Sequence, residues 1–265
     1  MRHLFTPDGE AALAETLRRH PLLAFDFDGT LAPIVPTPDG ARISQAVAAR
    51  LRRLSTVRPV AIVTGRSVED VLGRLGFEPL FVIGNHGAQD SAEPAAASAR
   101  ARALDPLRDR LRARAPALTG AGIAVEDKGQ SIALHYRLSR DRARARSLID
   151  DLLATPGGSL RTFESRLAAN AVAHDAPDAM RALRGAAARC GAGAVLFVGD
   201  DANDGSVFRA VPPGWLTVRI RRDDPTSGAR YFLDSPSEVA MLLERTLQGT
   251  DAAERAYAPQ RSAGA

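Results

Sequence analysis

The sequence predicts an α/β fold in which a parallel-sheet core is interrupted by a smaller inserted α/β domain. Three observations predict it. Short apolar runs alternate with helical periodicity through the N-terminal part, the same rhythm resumes late in the chain, and between them lies a segment of strict apolar/polar alternation.

The core elements come first in the chain. Leu22 to Phe27, Pro59 to Thr64 (PVAIVT) and Leu80 to Gly84 (LFVIG) are apolar on both faces, as strands of a covered parallel sheet must be. Between the first two, Ile43, Val47, Leu51 and Leu54 fall on one helical face. Ser67 caps a helix running through Leu75, with Asp70 at the capping-box position. The pattern returns with AVLFVGDD (Ala194 to Asp201), a helix from about Asp204, a strand around Trp215 to Ile220 and a last helix from Ser237 to about Leu247. From Gly249 on, the tail reads as frayed.

The middle breaks this rhythm. An Ala-rich linker (Ser91 to Arg100) leads into a helix from Leu104 to Ala113, then GIAVEDKGQSIALHYR, a helix from Arg142 to Leu153, and strands at Ser159 to Phe163 and Leu167 to Ala173. The quoted segment reads as a hairpin about Lys-Gly-Gln. Ile123 and Val125 share a face, as do Ile132, Leu134 and Tyr136, which leaves Glu126, Lys128, His135 and Arg137 on the other. A four-stranded antiparallel sheet with two helices results, apolar toward the helices and polar on its open face. The expected division is a core of residues 1–103 and 177–250, an inserted domain of 104–176 and a disordered tail of 251–265.

Composition narrows the function. A chain of 265 residues can bury a large core, and its 35 basic and 31 acidic side chains leave a net charge of +4. Lys128 is the single lysine. The arginines lie on Ala/Arg tracts such as Arg112 to Ala117 and Arg142 to Leu148, among carboxylates and few aromatics, which indicates solvated helix faces rather than a nucleic-acid groove. Cys190, the one cysteine, excludes an intramolecular disulfide, fits a reducing compartment and has a small apolar role near a helix end. The N-terminus has no signal-peptide core, and nothing approaches the roughly 18-residue apolar run of a membrane span. A cytoplasmic monomer with a small-molecule partner, and with neither nucleic acid nor membrane, is expected.

The chemistry begins in LLAFDFDGTLAP. Asp26 and Asp28 would point the same way if the strand continued through Phe27, which needs a cation, a shared proton or a turn; Gly29 supplies a turn. Ligands of open parallel sheets bind beyond the carboxyl ends of the strands. Three runs end there in Asp26-Phe27-Asp28, Thr64-Gly65-Arg66 and Gly199-Asp200-Asp201, with Asp204 beyond. So many carboxylates need a divalent cation, and all-oxygen ligands beside a phosphate point to magnesium. Thr64 offers its hydroxyl to a phosphate oxygen, and the Asn85-His86-Gly87 turn at the same edge is open to a ligand role or a structural one.

DFDGT, the threonine of IVTGR, and GDDAND resemble the first, second and fourth motifs of the haloacid dehalogenase superfamily, and the insertion resembles its large α/β cap of the second class. Within that superfamily, IVTGR, GNHGA, EDKG followed by HYR, and APD ahead of GDDAND resemble the trehalose-6-phosphate phosphatases from Leu22 to about Leu247. The resemblance implies a Rossmann-like core in which Asp26 attacks phosphorus and Asp28 serves as acid and base. It also implies magnesium held by Asp26, the Asp28 carbonyl and Asp200, with Asp201 and Asp204 supporting. Gly65, Arg66, Asn85, His86, Gly87, Glu126, Lys128, His135, Arg137 and Asn170 are implied to bind the sugar phosphate; Asn170 stands where some relatives carry a glutamate. The third motif departs from the family: Ala179 follows APD where a lysine is expected, with Arg181 and Arg184 nearby. Three readings stay open: a phosphatase releasing trehalose from trehalose 6-phosphate, a phosphatase of another sugar phosphate, and a phosphosugar-binding protein without turnover.

Overall fold

The structure, a computed structural model, describes residues 1–35, 38–154, 158–165, 167–200, 205–209, 211–222 and 227–257. In chain order the first elements are β1 (Arg2–His3), α1 (Pro7–Arg18), β2 (Leu22–Asp26), α2 (Gln45–Ser55), β3 (Val60–Val63), α3 (Val68–Leu75), β4 (Phe81–Gly84) and β5 (Gln89–Asp90). The middle holds α4 (Pro94–Arg102), α5 (Asp105–Ala113), α6 (Ala115–Gly120), β6 (Ala124–Asp127), β7 (Ser131–His135), α7 (Arg142–Leu153), β8 (Leu160–Ser165) and β9 (Ala168–Ala173). The chain then gives α8 (Ala179–Arg189), β10 (Val195–Gly199), α9 (Gly205–Arg209), β11 (Leu216–Ile220), β12 (Tyr231–Leu233) and α10 (Ser237–Tyr257).

One sheet has the order β1-β12-β11-β10-β2-β3-β4-β5, parallel except where β5 runs back along β4. Its side chains sort by the period of two. Leu23 and Phe25 pack with Leu51, Leu54, Leu242 and Leu243 on one face, while Leu22 and Ala24 pack with Leu183 and Ala186 of α8 on the other. A helix-sheet-helix sandwich follows. The helices begin where side chains supply the missing acceptors: Thr6, Ser44, Ser67 and Asp178 each accept from a backbone N–H of the first turn. From β2 the chain winds one way to β3 and β4, and later the other way from β10 to β11 and β12, so strand order switches between β2 and β10.

The second sheet, β6-β7-β9-β8, is antiparallel. Ile132, Leu134, Ala169 and Ala171 turn one of its faces onto Leu107 and Leu111 of α5 and Ile149 and Leu152 of α7. Val125 lies on the edge strand and remains 44% exposed.

Several elements differ from the sequence expectation. The stretch expected as an Ala-rich linker forms α4: alanine favours helix, Pro94 suits its first turn, and the segment buries only Ala97, so no apolar stripe marks it. A third helix, α6, joins the inserted domain. The final helix runs on to Tyr257 instead of fraying from Gly249, anchored by Leu242, Leu243 and Leu247; residues 258–265 lie outside the described residues. Cys190 is the C-cap of α8 and only partly buried, and burial raises its thiol pKa.

The turn after β4 joins the two sheets. Asn85, His86 and Gly87 all have positive φ (52°, 57° and 104°), which for histidine costs roughly 1 kcal/mol. A Cβ on Gly87 would overlap the backbone of Asp178 and Ala179, so only glycine allows this approach to α8. The His86 ring lies over Gly65 and meets Phe163 of β8 edge-on, with centroids 5.2 Å apart. Burial, then the charges of Lys128 and Arg161, push the His86 pKa down to about 4.

That enclosure carries a pH signature. The folded protein keeps His86 neutral while the unfolded chain protonates it near its ordinary value, so the stabilisation is complete above about pH 6.5 and is lost as pH falls toward 4. Urea unfolding should show wild type losing about 2 kcal/mol more than His86→Asn between about pH 7.5 and pH 5; asparagine tolerates the left-handed backbone. Equal losses in both proteins would contradict the enclosure.

Candidate active site

Asp26 ends β2, Thr64 follows β3 and Asp200 follows β10, and these three strands are neighbours in the order β10-β2-β3. The register pairs Asp26 with Val63 and Phe25 with Val198, so the three side chains share the carboxyl edge of the sheet at the switch in strand order. All three are buried, with 7% of Asp26 and 8% of Asp200 exposed.

β2 stops at Asp26, and the chain turns at Gly29, whose φ is +83° and whose N–H donates to Ala32 O at 2.8 Å. The turn gives the two aspartates different partners. Asp26 Oδ2 accepts from Thr30 Oγ1 at 3.0 Å. Asp28, less buried, accepts both arms of Arg66, at 2.7 Å from Nε and 2.8 Å from Nη2. Arg66 Nη1 also donates to Asp70 at 2.8 Å; Asp70 accepts from Arg74, which reaches the Asp39 carbonyl at 2.7 Å. Burial opposes the charge on Arg66, but Asp28 and Asp70 together hold its pKa above the usual value. For Asp70, burial is likewise outweighed, and Arg74 and Arg66 keep its carboxyl below the usual range. Arg66, expected as a substrate contact, is thus the side chain that orients Asp28.

Asp200 packs against the same turn. A Cβ on Gly29 would overlap its carboxylate, and Arg221, just past β11, forms an ion pair with it. Asp201 and Asp204 lie outside the described residues.

The loop from Thr64 to Arg66 is tied from several sides. Thr64 Oγ1 accepts from Arg66 N at 3.2 Å, His86 N donates to Thr64 O at 3.0 Å, and Asn85 N donates to Arg66 O at 2.8 Å. From the inserted domain, Lys128 Nζ donates to Gly65 O at 3.0 Å and Ser131 Oγ donates to Asn85 Oδ1 at 2.7 Å.

The polar face of the second sheet therefore turns toward the first sheet's carboxyl edge. Glu126 Oε2 meets His135 Nε2 at 2.8 Å and Lys128 Nζ at 3.5 Å; the His135 hydrogen bond chiefly holds the Glu126 carboxyl below the usual range. Glu126 pairs across the ladder with Ala133, Ala133 with Asn170, and Asn170 with Phe163, which puts Asn170 and Phe163 on that face. Asn170 is buried and donates to Ser165 Oγ at 2.9 Å. Arg137 is not part of the group: it is exposed in the turn after β7, and among the described residues no hydrogen bond or ion pair links it to Glu126, Lys128 or His135.

Thr30 and Arg221 escaped the sequence reading. Thr30 stood in the quoted DFDGT string, whereas Arg221 follows a strand with no polar motif. Ala179 opens α8, 5% exposed in the apolar layer with Leu22, Ala24 and Val63, and Arg181 and Arg184 are exposed.

The family model described as Trehalose-phosphatase matches residues 24–156. A trehalose-phosphate phosphatase of Mycolicibacterium paratuberculosis is 33% identical over 271 residues, covering 90% of this chain and 66% of that protein, so the chain spans about two thirds of its relative's length. The C-terminal domain of a C. albicans trehalose-6-phosphate phosphatase shares the fold, with a TM-score of 0.70 and 17% identity over 89% of this chain and 96% of that one. A haloacid dehalogenase-like hydrolase from Bacteroides thetaiotaomicron does so too, at a TM-score of 0.60 and 14% identity over 85% and 99%. The core motifs on neighbouring strand ends and the match of the family model lead to one conclusion: the chain belongs to the trehalose-phosphatase family.

Proposed function

We propose that the chain hydrolyses trehalose 6-phosphate to trehalose and phosphate with magnesium, its core formed by residues 1–103 and 177–250 and its cap by 104–176. The observation that carries this reading is the meeting of Asp26, Thr64 and Asp200 on three adjacent strand ends, with Asp28 in the next turn. Membership of the family and the trehalose-phosphate phosphatase name of the relative support the substrate.

The residues fit the metal. Asp26 and Asp200 are buried carboxylates on neighbouring strands, and Asp200 lies against Gly29, so a hard divalent cation suits the all-oxygen set of Asp26, the Asp28 carbonyl and Asp200. Bound there, magnesium offsets the negative charge of nucleophile and phosphate. An Asp26 carboxylate oxygen attacks phosphorus, forming an aspartyl-phosphate as the bond from phosphorus to the sugar oxygen breaks. Asp28, which Arg66 grips as a carboxylate, must release one arm of the guanidinium and take a proton from solvent before it gives that proton to the departing oxygen. In the second step Asp28 takes a proton from water as its oxygen bonds to phosphorus, and Asp26 is released. Thr64 offers its hydroxyl to a phosphate oxygen. The cap presents Glu126, Lys128 and His135 toward the sugar hydroxyls, where charged groups supply both donors and acceptors, while the buried Asn170 lies behind them on the same face. Among the described residues no helix is long and apolar enough to cross a membrane. The family supports a small-molecule sugar phosphate as the partner, and we read the chain as a monomer.

Phosphate release by purified protein should be faster from trehalose 6-phosphate than from sucrose or mannosylglycerate phosphates, and Asp26→Asn should reduce it to background. Preference for another sugar phosphate would move the substrate assignment, and tight binding without release would favour a binding protein.

Lys128 bridges cap and core through Gly65. Lys128→Ala removes the cation facing the sugar phosphate and should raise KM for trehalose 6-phosphate about tenfold with kcat changed less, while loss of the Gly65 hydrogen bond should lower the thermal midpoint by a few degrees. An unchanged KM would remove Lys128 from the substrate site.

A further inference from the structure

We propose that Gln89 is a positioning residue of the reaction, linking Ser131 of the inserted domain to the start of α3 and so to the arginine that grips Asp28. The proposal rests on the phosphatase reading above. Gln89 is buried on β5, opposite Gly84 of β4. Its Oε1 accepts from Val68 N and from Asn85 Nδ2, both at 2.9 Å. Its Nε2 donates to the Glu69 carboxylate at 3.0 and 3.2 Å. Asn85 is fully buried, and its Oδ1 accepts from Ser131 Oγ at 2.7 Å. Asn85, which the family resemblance implied as a sugar-phosphate contact, thus turns its side chain into a chain of bonds between the two sheets.

The direction of every bond in that chain follows from one fixed donor. A backbone N–H only donates, so the atom of Gln89 facing Val68 must be the oxygen, which leaves the amide nitrogen toward Glu69. The same oxygen requires the nitrogen of Asn85, and the Asn85 oxygen then requires the hydroxyl proton of Ser131. Neither amide can flip without setting two donors or two acceptors face to face. Gly84 leaves the space for this: a Cβ there would stand 3.0 Å from Val68 N and 3.2 Å from Gln89 Oε1, tighter than ordinary contact. At the far end, Val68 and Glu69 open α3. Asp70 beside them accepts from Arg66 Nη1 at 2.8 Å, while the other two nitrogens of Arg66 hold Asp28. Ser131 and Asp28 are therefore two ends of one connected network, and the seat of the inserted domain fixes where the acid and base stands. Gln89, Asn85 and Ser131 are all buried, where such a network is stiff and a missing member is costly.

The test is steady-state phosphate release by the full chain with magnesium from trehalose 6-phosphate and from p-nitrophenyl phosphate, for wild type, Gln89→Met, Ser131→Ala and the double variant. Methionine keeps the reach of glutamine and removes both of its hydrogen-bonding ends. The sugar oxygen needs a proton as it departs, whereas p-nitrophenolate is a stable anion that leaves with little help from an acid. Gln89→Met should lower kcat on trehalose 6-phosphate about tenfold with KM held, the loss expected of one buried hydrogen bond, and should keep kcat/KM on p-nitrophenyl phosphate within about twofold. Ser131→Ala should do the same, and the double variant should lose no more than either alone, because both cut one chain. Equal losses on the two substrates overturn the proposal, since they mean that Gln89 only holds the edge together. A raised KM with kcat held, losses that multiply in the double variant, or an unimpaired Gln89→Met enzyme overturn it as well. If Gln89→Met does not fold, Ser131→Ala decides alone by the same contrast between substrates. If wild type releases no phosphate from trehalose 6-phosphate, the phosphatase reading falls and the proposal with it; release by wild type that the variants match removes the proposal alone.

Discussion

Carboxylates crowded onto one sheet edge are the constraint on which the rest of the site depends. Two like charges about 4 Å apart repel by roughly 4 kcal/mol at the effective dielectric of a protein surface, and burial adds to the cost. Asp26 and Asp200 are both buried on adjacent strands, with Asp28 in the following turn. Each has its own partner: Thr30 donates to Asp26, Arg66 grips Asp28 and Arg221 pairs with Asp200. These partners come from the loop after β2, the loop after β3 and the end of β11. The carboxylates are thus tolerable only when the sheet has assembled in its final order, and the chemistry of the edge is tied to the topology of the core.

The same loop couples the cap to that edge. Residues 64–66 are bound by the Asn85-His86 turn through two backbone hydrogen bonds, by α3 through the pairing of Arg66 with Asp70, and by the cap through Lys128 on Gly65 O. Arg66 also fixes Asp28. Lys128 and Asp28 are therefore two bonds of one short loop: when the cap is seated, the carbonyl between Thr64 and Arg66 is occupied, and the group that orients Asp28 is held from both directions. Phe163 against His86 adds a packed contact between the sheets that needs no charge.

The sequence was most legible where one period dominates. β2, β3, β4 and β10 are runs buried on both faces, as side chains turning by half a revolution per residue in a covered sheet require, and β6 and β7 pair as the expected hairpin, although β6 is exposed throughout and β7 is buried through its first four residues. Ser67 capped α3 as its spacing to Asp70 indicated. Elements without such a pattern were not legible. β1 and β5 are two residues each, too short to show a period, and α4 buries one alanine and shows no stripe. Site residues divided likewise. Asp26, Thr64 and Asp200 sat at the ends of recognisable runs, but the role of Arg66 depended on which side of the strand-end turn Asp28 took, and Arg221 became a neighbour of Asp200 only through the placing of β11 beside β10. Contacts between separate elements leave no local signal.

Position 179 separates what the fold needs from what the chemistry needs. α8 begins there because Asp178 accepts from the N–H of Arg181, because alanine carries little entropic cost in a helix, and because the first turn is pressed against Gly87. None of those forces requires a charge. The apolar layer of Ala179, Met180, Leu183 and Ala186 against Leu22 and Ala24 would hold with any small residue at its head. A charge can consequently be absent from the first position of this helix while core, cap and clustered carboxylates all persist, as they do here. The head of α8 is thus set by packing and capping alone, and the carboxylates at the strand ends keep their places without a charge there.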